Sequence, residues 1–253
     1  MAKECGVPII GHRGCAQDAP ENTLASVNLA WQQEADAVEI DVWLTRDGQV
    51  VAHHDETTKR TAGVDRRIVD QTLAELKSLD VGRWKNAKYA GEQIPTLKEV
   101  LATIPNEKRL LIEVKCGMEA IPVIARVLDE ARTPLRQVVV ISFSAEVVAE
   151  SRRVLPDVEA ALVVQIRRDD AGRWSPPLEK IEREARRLGA QAVDLGNAPP
   201  LSKAEVDLFH AAELKVYIWT ANEPVRAAEL RAAGVDGLTT DRPGALRAEL
   251  SQP

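Results

Sequence analysis

Val7-Pro8-Ile9-Ile10-Gly11-His12-Arg13-Gly14 decides the fold class. A short apolar strand runs straight into a polar turn. In an open, doubly wound sheet the first strand should lead into a glycine-rich phosphate turn, and no G-x-G-x-x-G follows here. Working outward, seven further apolar runs have strand length and composition: Ala37–Val42, Leu110–Lys115, Val138–Ser142, Ala160–Val164, Ala192–Leu195, Val216–Trp219 and Val235–Thr239. Amphipathic stretches between them carry helix punctuation. Thr96-Leu-Lys-Glu99 and Ser202-Lys-Ala-Glu205 read as capping boxes, and Gly189 and Gly234 stand where a helix-ending glycine belongs. Eight β–α alternations in a chain of 253 residues predict one closed α/β barrel, a (β/α)₈ TIM barrel spanning residues 1–253.

The alternation fails in one region. No helix fits between Val42 and Val50, and Trp43–His54 instead reads as a β-hairpin turning at Asp47-Gly48. The polar, irregular stretch Glu56–Gln93, with one helix signal at Thr72-Leu-Ala-Glu75, reads as an ordered insertion after the second strand, over the barrel mouth.

The formal net charge is −6 and the sequence pI about 5.4. This excludes a general affinity for nucleic acid or anionic membranes, so an anionic substrate needs a bound cation or a few placed Arg and Lys. Three cysteines, Cys5, Cys15 and Cys116, argue against a disulfide framework. No apolar run reaches the roughly 20 residues that span a bilayer. A cytoplasmic protein with no stable membrane association is the simplest expectation.

In such a barrel the site forms at the C-terminal strand ends, so the polar residues there are the ones to read. The first strand ends on His12 and Arg13, a titratable group beside a fixed cation. Glu39 and Asp41 lie two apart on the second strand and share a face. Glu113 and Lys115 do the same on the third, after the buried run Leu110-Leu111-Ile112. Three carboxylates on adjacent strands suit a hard divalent cation, Mg²⁺ or Ca²⁺. Arg13 and Lys115 complement a phosphate. A hairpin symmetric about Asp47-Gly48 would pair Thr45 with Val50 and Asp41 with His54. His54 would then face the metal and His53 would point away. With His12, it makes a general acid–base pair for cleaving a phosphate ester.

Gly11-His12-Arg13-Gly14, Pro20-Glu21-Asn22-Thr23, Glu39-Ile-Asp41-Val42, Thr45-x-Asp47-Gly48, His54-Asp55, Arg60-Thr61, Glu113-Val-Lys115, Ser142-Phe143, Trp219-Thr220-x-Asn222 and Thr240-Asp241-x-Pro243, in this order and spacing, resemble the glycerophosphodiester phosphodiesterases. The resemblance implies a (β/α)₈ barrel with an insertion after strand two. It implies metal on Glu39, Asp41 and Glu113, catalysis by His12 and His54, Trp219 against the glycerol, and Glu21 orienting the His12-Arg13 loop. The implied reaction is metal-dependent hydrolysis of small glycerophosphodiesters to sn-glycerol 3-phosphate and an alcohol. Two departures are visible. Glu34-Ala35-Asp36 stands where the family often has Gly-Ala-Asp, and His53-His54 stands where it has one histidine.

The remaining residues take structural readings. Asp241, before Pro243, is expected to cap a helix. His210 and Trp31 pack on helices, Trp84 and Trp174 pack in loops, and no thiol chemistry is assigned to Cys15 or Cys116. Two rivals stand beside the small-diester hydrolase. A phospholipase-type enzyme on lipid would want an exposed apolar rim or a basic face, and the sequence signals neither. A non-catalytic binding barrel would have lost a ligand or a histidine, and all are present.

Overall fold

The computed structural model describes residues 6–196 and 201–251, so Cys5 lies outside the described residues. Its strands are β1 (Ile9–Gly11), β2 (Ala37–Leu44), β3 (Val50–Ala52), β4 (Arg109–Val114), β5 (Val138–Ser142), β6 (Glu159–Val164), β7 (Arg167–Arg168), β8 (Trp174–Ser175), β9 (Ala192–Gly196), β10 (Lys215–Trp219) and β11 (Gly237–Thr240). Eight of these run parallel in the order β1-β11-β10-β9-β6-β5-β4-β2, and β1 pairs with β2 to close the barrel. All eight expected strands are therefore barrel strands. The two-stranded β7–β8 hairpin was not foreseen.

Alternation along each strand builds two layers. Ile10, Ala37, Leu111, Val139, Ile141, Ala161, Val163, Ala192 and Tyr217 fill the barrel interior. The alternate residues, such as Val38, Ile40, Val42, Leu110 and Ile112, pack outward against helices including Leu24–Gln32 and Ala120–Glu130. Inward positions above the apolar layer carry the polar groups. Glu39 and Asp41 follow Ala37 on β2, Glu113 follows Leu111 on β4, and Asp194 follows Ala192 on β9.

β2 outruns the barrel. Its residues 37–42 pair with β4, and Val42 to Leu44 pair antiparallel with β3. This hairpin corrects the expected register. Val42, Trp43 and Leu44 face Ala52, Val51 and Val50, one residue off the symmetric pairing. The loop has three residues, not two. Gly48 N–H donates to Thr45 O (3.0 Å), Thr45 N–H to Gln49 O (2.9 Å), and Gly48 takes the left-handed φ of +73° that such a loop requires. Asp41 O therefore accepts from His53 N–H (2.9 Å), and strict parity would aim His53, not His54, at the mouth. The chain leaves the ladder after Ala52, which frees both histidines from that parity.

The insertion is ordered around a small apolar core of Val51, Ile68, Leu76, Val81 and Ile94. A Thr72–Glu75 capping box starts its helix Leu73–Lys77. It reaches back to the loop after β1 through Lys85 Nζ to Ala16 O (2.7 Å) and Tyr89 Oη to Asp18 O (2.9 Å). The other two expected capping boxes, Thr96–Glu99 and Ser202–Glu205, also form. No helix among the described residues is long and apolar enough to cross a membrane.

Candidate active site

The loop after β1 is bent back sharply. Gly14 sits at φ +89°, and a Cβ there would come within 2.5 Å of Ser26. Arg13 itself is at φ +52°, a costly conformation for a residue with a side chain, which turns its backbone N–H onto Glu39 Oε2 (2.9 Å). Its guanidinium reaches Glu21 Oε1 (2.8 Å) and lies 3.2 Å from Asp41 Oδ2.

Asp41 is 1% exposed and Glu39 3% exposed. Asp41 accepts from Asn22 Nδ2 (2.9 Å), while its own N–H donates to Asn22 Oδ1 (3.1 Å). Lys115 Nζ bridges Glu113 Oε1 (2.8 Å) and Asp41 Oδ1 (3.4 Å). Each of Glu39, Asp41 and Glu113 offers one oxygen within 4.8 Å of the others, so the group could hold a metal ion. Burial, then Asp41 and Glu113, push the Glu39 carboxyl well above its ordinary range, with Arg13 opposing. Glu113 is raised by burial and Asp41 despite Lys115. Glu39 Oε1 has no hydrogen-bond partner. Charge is thus in excess here by about one carboxylate, which is the state a cation relieves.

Both mouth histidines are clamped through Nδ1. His12 Nδ1 lies 2.7 Å from Asp241 Oδ1, and His54 Nδ1 lies 2.7 Å from Asp55 Oδ1. Burial raises Asp241, but its hydrogen bond from His12 and those that follow bring it below the usual carboxylate range. An ionised carboxylate can only accept, so Nδ1 carries the proton and Nε2 is left to exchange one. Asp241 therefore does not cap a helix. The cap position of Pro243–Leu250 is Arg242, which makes no side-chain capping bond. Asn222 holds Asp241 in place through Nδ2 to Oδ2 (2.6 Å) and through Oδ1, which accepts from Asp241 N–H (2.9 Å).

Asp55 and Glu21 are joined by Arg60 from the insertion's first turn. Arg60 Nε donates to Asp55 Oδ2 (2.7 Å), and its two terminal nitrogens donate to Glu21 at 2.7 and 2.8 Å. Burial raises Glu21, but Arg60 and Arg13 outweigh it and bring its pKa down to about 2. A chain of charge pairs thus runs His54–Asp55–Arg60–Glu21–Arg13–Asp41. His53 is turned inward, 4% exposed, with Nε2 on Thr57 O (3.2 Å).

These groups enclose a pocket of about 210 Å³ lined by His12, Arg13, Glu39, His54, Glu113, Lys115, Ile141, Phe143, Asp194, Trp219 and Thr239. The structure brings together every residue singled out from the sequence: Asp41 sits just behind the lining, and Glu21 sits behind Arg13. Sequence reading missed Asn22, Asp55, Arg60, Asn222 and Asp241 as parts of the site, although each lies in a quoted landmark. It missed Asp194 and Thr239 entirely. Phe143 stands edge-on to Trp219, with ring centroids 5.6 Å apart. Phe143 and Met118, 48% and 52% exposed, lie on the loops after β5 and β4, so the rim is more apolar than the sequence suggested.

The Glycerophosphoryl diester phosphodiesterase family profile matches residues 12–245. A glycerophosphodiester phosphodiesterase of Caldanaerobacter subterraneus subsp. tengcongensis is 33% identical over 242 residues, covering 94% of this chain and 95% of that protein. One from Bacillus subtilis is 28% identical over 251 residues, covering 92% and 83%. A phosphodiesterase of Oleispira antarctica, solved in complex with the product sn-glycerol 3-phosphate, superposes with a TM-score of 0.86 at 30% identity, covering 98% of each chain. The chain belongs to the glycerophosphoryl diester phosphodiesterase family, and with it to the phosphoric diester hydrolases.

Proposed function

We propose that the chain hydrolyses small glycerophosphodiesters to sn-glycerol 3-phosphate and an alcohol, with His12 and His54 as the general acid–base pair. One observation carries the reading. Two histidines, each fixed through Nδ1 by its own carboxylate, line one small pocket with two cations and three carboxylates. Arg13 and Lys115 bind and orient the phosphoryl oxygens, Arg13 by its planar fork. One histidine Nε2 takes the proton of the attacking hydroxyl, and the other returns a proton to the leaving alkoxide. Asp241 and Asp55 accept from Nδ1 and leave both Nε2 atoms to the substrate: the base is the neutral ring with a free Nε2 lone pair, and the acid is the imidazolium, which carries the proton it gives up on Nε2.

The residues fit a divalent cation. All three candidate ligands offer carboxylate oxygen, and Glu39 Oε1 is buried without a partner. Glu39, Asp41 and Glu113 would hold Mg²⁺ or Ca²⁺. When bound, such an ion neutralises charge developing on the phosphoryl group. A pocket of about 210 Å³ suits a deacylated diester better than a phospholipid. The insertion, tied by Lys85 and Tyr89 to the loop after β1, would restrict access to the mouth in the same sense. We place this barrel domain in the cytoplasm, where its thiols would stay reduced.

The test is incubation with glycerophosphocholine, glycerophosphoethanolamine and glycerophosphoglycerol, with and without EDTA, reading glycerol 3-phosphate. Release that EDTA stops and Mg²⁺ or Ca²⁺ restores is expected. Full turnover by exhaustively chelated enzyme, or faster turnover of phospholipid vesicles, would sink the reading.

A further inference from the structure

Asp194 has no use in the scheme above, and its position demands one. It is 2% exposed, points inward from β9 two residues beyond Ala192, and rests on the apolar layer of Ile141, Val163 and Tyr217. Its Oδ1 has no hydrogen-bond partner. Thr239, two strands away on β11 and 1% exposed, likewise leaves its buried Oγ1 without one. Both residues line the phosphodiester pocket. A buried polar group left unpaired destabilises the fold, and the barrel's own packing returns nothing for it at either position. Between the two strands, Trp219 on β10 leans its indole toward β9, donating Nε1–H to Asp194 O (3.3 Å). The pocket thus has a polar floor with free hydrogen-bonding capacity beside an aromatic wall. A polyol fits that pair, with its C–H face on the indole and its hydroxyls on the carboxyl and the threonine.

We propose that Asp194 is a specificity-determining residue that hydrogen-bonds a free hydroxyl of the substrate's glycerol moiety, with Thr239 completing the contact. This rests on the hydrolase reading above and adds to it the feature of the substrate that is read. A hydroxyl both donates and accepts, so the contact forms whichever protonation state Asp194 holds. A substrate lacking the hydroxyl, by acylation or deletion, leaves Asp194 buried and unpaired and is rejected far more strongly than a size filter alone would achieve.

The experiment compares kcat/KM on glycerophosphocholine and on propyl phosphocholine, which keeps the diester and head group but lacks both glycerol hydroxyls. The wild type should prefer the former by about 10²-fold or more. Asp194→Leu should lose about 10²-fold on glycerophosphocholine and less than about threefold on propyl phosphocholine, which erases the preference. Thr239→Val should show the same split at about tenfold, and Asp194→Asn, which can still pair with a hydroxyl, should keep most of it. Thermal unfolding reports the fold independently: removing a buried carboxyl whose Oδ1 has no partner should leave Tm equal or higher in Asp194→Leu. Equal losses on both substrates, or no loss on either, would overturn the assignment. A wild type that cleaves neither diester would overturn the hydrolase reading instead.

Discussion

At the N-terminal end of the barrel, Arg109, Glu159, Lys215 and Tyr217 meet across β4, β6 and β10. At the C-terminal end, β4 and β10 also present Glu113, Lys115 and Trp219. Both ends hold inward charge, but the accounts differ. At the lower end Glu159 accepts from Arg109 (3.0 Å), Lys215 (2.6 Å) and the Tyr217 hydroxyl. Burial raises Glu159, yet Arg109 and then Lys215 and Tyr217 bring it below its ordinary value. Among the described buried side chains there, Nε of Arg109 and of Arg247, from the helix Pro243–Leu250, is left without a partner. At the upper end Glu39, Glu113 and Asp194 are all pushed upward, and Glu39 and Asp194 each keep an orphaned oxygen. Size does not separate the two, because the lower hollow is the larger, about 660 Å³ against about 210 Å³. What separates them is satisfaction. The lower charges complete one another and hold the barrel shut, whereas the upper ones are arranged for something the chain does not itself supply.

The largest expected effect attacks the upper end. Glu39→Gln should lower kcat/KM on glycerophosphocholine by about 10⁴-fold, since cation binding contributes several kcal/mol to such transition states. In chelated protein the same change removes one like charge from a crowded site, so Tm should rise by about 2–4 °C, equivalent to about 1 kcal/mol. Adding Mg²⁺ or Ca²⁺ should then stabilise the wild type more than the variant. A variant less stable than chelated wild type would mean that Glu39 serves the fold, and the contrast between the ends would fail.

The histidine pair comes next. His54→Ala should lose about 10³-fold, within the general acid–base range, and Asp241→Asn about 10²-fold by releasing the His12 tautomer. His53→Ala should keep activity within about tenfold of wild type and show its cost in Tm, because His53 is buried on Thr57 O. Steady-state rates on one substrate rank the three. A loss at His53 equal to that at His54 would mean the hairpin delivers the wrong ring.

What the sequence made legible divides along the same line. The eight strands, the inward pairs Glu39/Asp41 and Glu113/Lys115, and the capping boxes follow from periods of two and 3.6 and from local chemistry, so they could be read directly. The hairpin register could not. It hung on whether Arg46 joins the loop, a matter of one residue, and His54 lines the pocket although the pairing expected to put it there does not form. Asp241 was misread because a carboxylate before a proline fits a cap equally well; its true partner, His12, is 229 residues away. Asp194 gave no signal at all, since Ala-Val-Asp-Leu-Gly reads simply as a strand. One departure from the family pattern also found its physical setting: Glu34 sits at φ +61° after the helix Leu24–Gln32, a position that glycine adopts without strain.

The smallest effect on activity is expected at the lower end, and it is the sharpest control. Glu159→Gln keeps the shape and deletes the charge that Arg109 and Lys215 share. Lys215 is half exposed and contributes little, so the loss should be about 2 kcal/mol, below the range for a fully buried pair. The folded pKa of Glu159 is depressed, so its stabilisation is fully present above the unfolded value of about 4.3 and is lost as pH falls through the lower folded value. The stability gap between wild type and Glu159→Gln should therefore be constant from about pH 6 upward and close below about pH 4. Urea unfolding at a series of pH values measures it. Activity at pH 7 should stay within about twofold of wild type, because no catalytic group touches this cluster. A gap that persists unchanged into acid would assign the cost to hydrogen-bond geometry and not to charge. A large loss of kcat at full folding would show that the two mouths are coupled through β4 and β10, and the division between a satisfied end and an unsatisfied one would no longer separate structure from chemistry.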